Sequence, residues 1–325
     1  MTSKIRIGII GYGNLGRGVE KAVGQNPDLE LVAIFTRRPP DQITSQGNLV
    51  SIAGVEDYRG MIDVMILCGG SSTDLPEQGP LYATKFNTVD SFDLHAEIPT
   101  YFTKVDTAAK RGGNLSLIST GWDPGLFSLA RLLLESILPE GKSYTFWGRG
   151  VSQGHSVAIR RLPGVRHAIQ YTVPVPETVD KIRQGASPVL TPREEHLRIC
   201  YVVAEPNADL TAIETSIKTM PSYFADYDTT VHFITEEEFL AKHTGMPHGG
   251  FVIRTGLTGD GHHQQGEFRL ALESNPYFTG SVLTAYARAV YRLRQRGVTG
   301  ACTVFDIPLG YLSPRPSAEL RKELL

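Results

Sequence analysis

The feature that most constrains this chain is the passage from a short apolar segment directly into closely spaced glycines, IRIGIIGYGNLGRG at residues 5–18. IRIGII is typical of a β-strand, and LGRGVEKAVG after the glycines is typical of a helix. Between a strand and a helix, the spacing G-x-G-x-x-G allows a tight turn, close approach of a pyrophosphate and close packing of helix on strand. The helix N-terminus also stabilises phosphate charge. The sequence therefore predicts a dinucleotide-binding turn made of Gly11, Tyr12, Gly13, Asn14, Leu15 and Gly16.

The first third of the chain repeats this alternation of strand and helix. Strand-like segments lie at 29–35, 61–67, 86–90 and 114–119, and a helical stretch lies between the last two. A continuous apolar run such as MIDVMIL is typical of a strand buried on both faces of a parallel sheet. Short strands separated by helices indicate βαβ units with right-handed crossovers. We therefore expect an α/β fold with a Rossmann-type, doubly wound parallel sheet of about five strands.

The pattern changes at Asp123. DPGLFSLARLLLESILPEG predicts a long amphipathic helix with Asp123 as its N-cap and Pro124 at its first position. Several β-prone segments separated by Pro and Gly turns follow, which indicates an antiparallel sheet with helices, a second domain of α+β type. The segment SVLTAYARAVYRLRQRG, 281–297, predicts a further amphipathic helix, and we expect its arginines on a solvated face.

The end of the second strand discriminates between two nicotinamide cofactors. An NAD site usually has an acidic side chain here, bound to the ribose 2′-hydroxyl. This chain has Thr36, Arg37 and Arg38 instead, and guanidinium groups bind a 2′-phosphate through paired hydrogen bonds. Glu30 lies at the start of the strand, pointing away from this end. The sequence therefore predicts NADP, with a solvent-exposed arginine pair as the alternative.

The carboxyl ends of the remaining strands complete the expected cofactor site, because ligands of open parallel sheets bind beyond those ends. Small residues there let the backbone pack against ribose and nicotinamide, and Cys68 is interpreted as a small apolar residue. Asp90, Asp93 and Asp123 are expected near the nicotinamide, where carboxylates suit an ammonium group. The further cofactor-binding residues predicted are Cys68, Gly69, Gly70, Ser71, Ser72, Thr73, Asp90, Ser91, Phe92, Thr120, Gly121, Trp122, Asp123, Pro124 and Gly125.

Composition and charge exclude several classes of protein. The chain has 32 basic and 34 acidic residues, a net charge of -2, which argues against nonspecific nucleic-acid binding. Its three distant cysteines indicate neither a disulfide framework nor a zinc site, and suit a reducing compartment. No signal peptide or membrane-spanning run is recognisable. We therefore expect a cytoplasmic protein that binds no metal, nucleic acid or membrane.

Nine longer strings resemble one enzyme family. They are GYGNLGRGVE, FTRR, LCGGSSTDLPEQGP, TVDSFD, STGWDPGLFSL, TFWGRGVSQGHS, TMPSYF, HTGMPHGG and DIPLGYLSP, and they extend over nearly the whole chain. On these strings the sequence resembles the meso-diaminopimelate D-dehydrogenases. The resemblance implies NADP-dependent oxidative deamination at the D-centre of meso-2,6-diaminopimelate, giving L-2-amino-6-oxopimelate and ammonia. It also implies the reverse reductive amination, which feeds lysine and cell-wall precursor synthesis.

The resemblance further implies an organisation and a set of site residues. Residues 1–122 would bind NADP, 123–302 would bind substrate and form a homodimer, and 303–325 would return to the first domain. Asp93 and Asp123 would hold the reacting amine, and one of them would accept its proton. The remaining substrate residues implied are Trp147, Ser152, Gln153 and Gly154 at the reacting end, and Thr172, Arg198, His248 and Asn275 at the distal L-centre.

Three alternatives stay open at this point. Val157 stands where the family pattern has Asp, so a broader NADP-dependent D-amino acid dehydrogenase of the same family is possible. Another NADP enzyme of aspartate-derived amino-acid synthesis shares the opening pattern, but not the GWDPG and SQGHS segments. A non-catalytic NADP sensor is the third reading.

Overall fold

The structure, a computed structural model, describes residues 4–325. No helix among these residues is long and apolar enough to cross a membrane. The strands are β1 (Ile5–Ile10), β2 (Leu29–Thr36), β3 (Leu49–Ser51), β4 (Val64–Leu67), β5 (Thr88–Asp90), β6 (Leu115–Leu117), β7 (Gly141–Trp147), β8 (Gly150–Val151), β9 (Val165–Pro174), β10 (His196–Ala204), β11 (Asp228–Phe233), β12 (His248–Thr258), β13 (His262–Leu272) and β14 (Gly300–Cys302). The helices are α1 (Asn14–Gly24), α2 (Leu75–Ala83), α3 (Ile98–Gly112), α4 (Leu126–Ile137), α5 (Gln153–Arg160), α6 (Pro176–Arg183), α7 (Pro192–Glu195), α8 (Leu210–Lys218), α9 (Glu236–Lys242), α10 (Asn275–Arg294) and α11 (Ser317–Leu324).

The expected doubly wound sheet is confirmed. Its strand order is β14-β6-β5-β4-β1-β2-β3, and every pair in it is parallel. The sheet has seven strands rather than about five. The two additional strands are β3 and β14, which have three residues each and lie at the two edges of the sheet.

Helices cover both faces of this sheet, which explains the continuous apolar runs of its central strands. Ile7 and Ile9 face a cluster that includes Leu283 of α10. Ile10 and Met65 face the opposite cluster, which α2 and α3 complete. Because neighbouring side chains of a strand point to opposite faces, both sets must be apolar.

The chain divides into two compact units, residues 1–129 with 276–325, and residues 130–275. The sequence placed the return to the first domain at 303, whereas this division places it at 276. The difference comes from α10, because Val282, Leu283 and Tyr286 are buried in the same core cluster as β1.

Arg288 of α10 corrects the expectation of a solvated arginine face. Its side chain is only 1% exposed, and its guanidinium donates to both carboxylate oxygens of Asp28 at 2.6 and 2.8 Å. It also donates to Asn26 and to the carbonyl of Leu312. The helical periodicity placed this residue on the polar face. In the structure its guanidinium can be buried because a bidentate ion pair and two further acceptors bind its N–H groups.

The second unit contains two sheets. One is the antiparallel β13-β12-β7, and the other has the order β11-β10-β9-β8. The expected antiparallel arrangement holds for β8, β9 and β10, but β10 and β11 are parallel. A parallel pair needs a crossover connection, which the segment containing α8 supplies.

Helix α4 begins later than the sequence predicted. It starts at Leu126, so Asp123 lies ahead of the cap position rather than on it. Residues 122 and 125 form a bridge in a tight turn, and Gly125 has a φ of 129°. The turn takes up the residues that the pattern assigned to the first helical turn.

Candidate active site

The glycine turn joins β1 to α1 and leaves open space on its outer side. Gly11 has a φ of 90°, in the left-handed region that favours glycine. A side chain at Gly16 would overlap the carbonyl oxygen of Gly11, so the helix can start this close to the turn only with glycine there. A side chain at Gly13 would meet no protein atom within 4 Å. This open cradle fits a pyrophosphate group beside the first N–H groups of α1.

Arg37 and Arg38 follow β2 and contact two neighbouring loops. Arg37 Nη2 lies 2.8 Å from Asp74 Oδ1, and the Arg37 side chain is 70% exposed. Arg38 donates from its guanidinium to the carbonyl of Tyr12 in the glycine turn, and its backbone N–H donates to Thr36 Oγ1. The structure therefore brings the arginine pair, the glycine turn and the loop after β4 together.

Asp74 is an acidic residue of this cluster that the sequence analysis did not select. Its Oδ2 accepts hydrogen bonds from the N–H of Gly70 at 3.0 Å and the hydroxyl of Thr73 at 3.1 Å. Burial opposes ionisation, but these donors and the Arg37 guanidinium hold the pKa of the Asp74 carboxyl below its ordinary value. Thr73, predicted to bind the cofactor, here donates its hydroxyl to Asp74. The sequence signal for Asp74 was an aspartate at the end of a turn that begins with two glycines, because Asp side chains often bind the backbone N–H groups of such turns.

Glu20 of α1 is a second residue that sequence reasoning missed. It is 8% exposed and accepts hydrogen bonds from the hydroxyls of Tyr12 and Ser45 and from the N–H groups of Gln46 and Gly47. Burial opposes ionisation, yet these donors outweigh it and lower the pKa of the Glu20 carboxyl. Glu20 thus ties the glycine turn to loop 45–47. The signal was a carboxylate within the apolar stripe of an amphipathic helix.

Asp90 and Phe92 were predicted to contact the cofactor, but their side chains lie in the core. Asp90 accepts hydrogen bonds from the N–H groups of Phe92 and Ser119, both at 3.0 Å, and from the Tyr101 hydroxyl at 2.7 Å. Burial raises the pKa of Asp90 to about 6. Phe92 stacks on Tyr101 with ring centroids 4.1 Å apart. Contacts of these two positions with a cofactor would therefore come from the backbone.

Asp93 and Asp123 follow the neighbouring parallel strands β5 and β6. Asp93 is exposed, and its N–H donates to Ser71 Oγ at 3.1 Å. Asp123 is half-buried in the turn ahead of α4. Parallel neighbours end at the same edge of a sheet, so both carboxylates belong to the edge that carries the glycine turn.

The other predicted cofactor residues lie in the loops that follow β4, β5 and β6. Cys68 packs against the core, as interpreted from the sequence. Trp122 is 7% exposed, edge-to-face with Phe127, and Thr120 donates its N–H to the carbonyl of Asp90. Gly125 is required because a side chain there would overlap the backbone of Gly121. Further members that are half-buried or exposed include Gly69, Gly70, Ser72, Ser91 and Pro124.

In the second unit, Trp147 is fixed by a histidine that the sequence did not reveal. The Trp147 N–H donates to His196 Nε2 at 2.9 Å, and the two rings stack with centroids 5.5 Å apart. His196 is 2% exposed. Burial, and then the charge of Arg198, lower the pKa of His196 to about 3. Since its Nε2 accepts a hydrogen bond, His196 is a neutral imidazole that positions Trp147.

Ser152, Gln153 and Gly154 form the start of α5. Gln153 and Gly154 are exposed, and the first N–H groups of a helix have no partner within it. Ser152 Oγ lies 2.7 Å from His155 Nδ1. Burial, followed by the charge of Arg198, lowers the pKa of His155 to about 4. This helix start can accept a carboxylate.

Thr172 and Arg198 face each other on the paired strands β9 and β10. Arg198 Nη1 donates to Thr172 Oγ1 at 2.5 Å, and its Nε has no hydrogen-bond partner in residues 4–325. The His248 ring packs over Gly150, which pairs with Thr172 on the other side. The structure therefore brings these three predicted residues of the distal site together.

The segment ahead of β12 contacts two of the predicted residues, Gln153 and Asn275. Gln153 Nε2 contacts the sulfur of Met246 at 3.4 Å, and the N–H of Asn275 donates to the carbonyl of Met246 at 3.0 Å. Burial lowers the pKa of His248, two residues further along. In residues 4–325, no group of three or more His, Cys, Asp or Glu side chains is arranged to hold a metal ion.

The parallel sheet and its glycine turn define a dinucleotide-binding α/β protein, and comparison with known proteins specifies its family. Residues 121–274 match the diaminopimelic acid dehydrogenase C-terminal domain. The chain is 62% identical to the meso-diaminopimelate D-dehydrogenase of Ureibacillus thermosphaericus, over 99% of this chain and all of the relative.

Two solved structures are also similar over 99% of this chain and 100% of theirs. A substituted meso-diaminopimelate dehydrogenase of Clostridium tetani with DAP is 61% identical, with a TM-score of 0.94. An engineered D-amino acid dehydrogenase bound to NADP+ is 43% identical, with a TM-score of 0.87. The class is therefore that of oxidoreductases acting on CH–NH2 groups. The chain belongs to the meso-diaminopimelate D-dehydrogenase family.

Proposed function

We propose that this protein catalyses the NADP-dependent oxidative deamination of meso-2,6-diaminopimelate at its D-centre, and the reverse reductive amination. The observation that carries the proposal is the buried Arg198, a cation that has no carboxylate partner within residues 4–325, in a chain of this family. A buried charge of this kind needs an anion, and the substrate brings a carboxylate at each end. L-2-amino-6-oxopimelate and ammonia are the products.

The cofactor proposed is NADP. Support comes from the open cradle at Gly13 and from the paired guanidinium groups after β2, which suit a 2′-phosphate better than a hydroxyl. The similar engineered enzyme is described as bound to NADP+. When bound, NADP would accept the hydride from Cα, and water would convert the resulting imine to the ketone and ammonia.

The side chains proposed to act on the reacting amine are Asp93 and Asp123. An ammonium group must lose a proton before its carbon can be oxidised, and an ionised carboxylate within hydrogen-bond reach can take it. We propose that one of the two accepts this proton while the other holds the nitrogen. Trp147 and the start of α5, residues 152–154, would bind the carboxylate and carbon atoms of the same centre.

The far end of the substrate would be bound by Thr172, Arg198, His248 and Asn275. The two ends of meso-diaminopimelate differ only in handedness, so an enzyme must bind both ends to select one. A guanidinium edge binds a carboxylate through parallel hydrogen bonds, which fixes orientation as well as charge. Arg198 is thus proposed to hold the L-centre while the D-centre reacts.

Val157 favours a second candidate, a broader D-amino acid dehydrogenase. It is half-buried in α5, two residues from His155, where an aspartate was expected. Losing a carboxylate beside the reacting-end turn would relax the requirement for diaminopimelate. Comparable kcat/KM for D-alanine and meso-diaminopimelate would favour this candidate.

We also propose a homodimer in the cytoplasm. Exposed apolar side chains of the second unit support the dimer: Leu133 is 62%, Ile137 58% and Phe268 37% exposed. The free Cys68, Cys200 and Cys302 are compatible with a reducing compartment. Light scattering of the purified chain tests the dimer directly.

Ammonia-dependent oxidation of NADPH tests the proposed reaction. With L-2-amino-6-oxopimelate present, NADPH should be consumed only when ammonia is added, because the imine needs that nitrogen. Reductases that act on carbonyl or ring double bonds need none. NADPH consumption independent of ammonia would refute the proposal, and tight NADPH binding without turnover would favour a sensor.

A further inference from the structure

Arg198 lies against an aromatic ring that has had no role so far. Its guanidinium carbon is 3.9 Å from the centroid of the Tyr227 ring. Tyr227 immediately precedes β11, the strand that pairs in parallel with β10, on which Arg198 lies. The two residues are thus held together by the register of two paired strands.

This ring replaces part of the counter-charge that a buried cation needs. Arg198 is 7% exposed, and it forms no ion pair with a carboxylate in residues 4–325. Burial lowers the pKa of Arg198, and its charge contributes to the lowered pKa of both His155 and His196. The negative face of an aromatic ring attracts a cation, and more strongly when water is excluded.

The geometry also selects which side of the guanidinium is available. The ring covers one face, and the hydroxyl of Thr172 holds one terminal nitrogen at 2.5 Å. A guanidinium binds a carboxylate in its plane, through its edge, and not through its face. Together, Tyr227 and Thr172 therefore fix the plane in which the edge of Arg198 can meet a carboxylate.

We propose that Tyr227 is a specificity-determining positioning residue, which holds Arg198 in the orientation that recognises the carboxylate at the far end of the substrate. This inference rests on the proposed function, because it assigns a partner to the Arg198 carboxylate site. Tyr227 acts through Arg198 and takes no part in the chemical step.

The test compares Tyr227→Leu with Tyr227→Phe. Leucine removes the ring, so KM for meso-diaminopimelate should rise roughly tenfold, while kcat and KM for NADP stay within about twofold. Phenylalanine keeps the ring and should remain within about twofold of the wild type in all three constants. A calorimetric titration with meso-diaminopimelate gives the same comparison without turnover.

A double-mutant cycle separates this role from a general effect on the fold. In an Arg198→Met background, Tyr227→Leu should cause no further rise in KM, because the cation it positions is gone. Should Tyr227→Leu not fold, Tyr227→Met takes its place in both comparisons. An unchanged KM in the ring-free variant, an equal effect of Phe and Leu, or additive effects with Arg198→Met would each overturn the inference. Failure of the wild type to oxidise meso-diaminopimelate would instead overturn the proposed function.

Discussion

Arg37 and Asp74 form an ion pair, with 2.8 Å between Nη2 and Oδ1, that joins the loops after β2 and β4. The carboxylate is fixed by Gly70 and Thr73, while the arginine side chain is largely exposed. The ion pair holds one terminal nitrogen of Arg37 at the edge of the proposed cofactor site. The other N–H groups of its guanidinium are then available to a ligand.

Replacing Arg37 and Arg38 together with alanine should raise KM for NADP by roughly 10- to 100-fold, because each guanidinium contributes charge-assisted hydrogen bonds to the 2′-phosphate. KM for NAD, which lacks that phosphate, should change by less than about threefold. Arg59→Ala, at an exposed site of the same unit, serves as the control. Equal effects on the two cofactors would contradict the assignment.

Replacing Asp93 and Asp123 separately with asparagine should impair use of the amine substrate in two different ways, while leaving KM for NADP nearly unchanged. The variant that removes the proton acceptor should lose about 10²- to 10⁴-fold in kcat, the usual contribution of a general base. The other variant should mainly raise KM for the amine substrate. Steady-state kinetics with Asp57→Asn as an exposed control distinguish the two, and full activity in both variants would exclude the proposed roles.

Replacing Glu20 with glutamine should destabilise the first unit by about 1–3 kcal/mol, because its one amide oxygen can replace Oε1 for Gln46 and Gly47, while the N–H2 in place of Oε2 cannot accept from the Tyr12 hydroxyl and the charge that strengthens these bonds is lost. Glu30→Gln, at an exposed position of the same unit, should leave stability unchanged. Urea unfolding followed by circular dichroism measures both. If the two variants unfold at the same urea concentration, the Glu20 network contributes nothing to the fold.

Acid should destabilise the second unit through its buried histidines. The pKa of His155 is lowered to about 4 and that of His196 to about 3, whereas an unfolded histidine titrates near its ordinary 6.5. Below that value the unfolded chain binds protons that the folded chain does not, so stability falls as pH falls. At about pH 5 each group should cost roughly 2 kcal/mol.

The variant His196→Phe isolates the contribution of His196 to the loss of stability at acid pH. It should be less stable than the wild type near neutral pH, because Trp147 loses its acceptor, yet it should lose less stability between about pH 7.5 and about pH 5. His263→Gln, at an exposed position, should follow the wild type. Parallel pH profiles for all three proteins would show that His196 becomes protonated in the folded state.

The sequence predicted five of the seven strands of the parallel sheet because each of those five has a local signal. Gly11, Gly13 and Gly16 are spaced by the geometry of one turn, and the buried strands are continuous apolar runs. The positions of the distal-site residues Thr172, Arg198 and His248 came from resemblance, since no local pattern marks them. The structure adds only that they lie together.

What the sequence could not predict are partnerships made across the fold. Arg288 looked solvated because its ion pair with Asp28 joins residues far apart in the chain. His196, Tyr227 and Asp74 carry no motif, and their roles follow from which strands and loops become neighbours. Asp90 stands at a strand end like Asp93, but only the folded chain shows that its carboxylate is buried.

The most direct measurement is the formation of NADPH and ammonia from separate isomers of diaminopimelate. With NADP, the meso isomer should give NADPH and ammonia in equal amounts, and the L,L isomer, which has no D-centre, should give neither. NADPH formation from the L,L isomer at a comparable rate, or from the meso isomer without release of ammonia, would contradict oxidation at an amine-bearing D-centre.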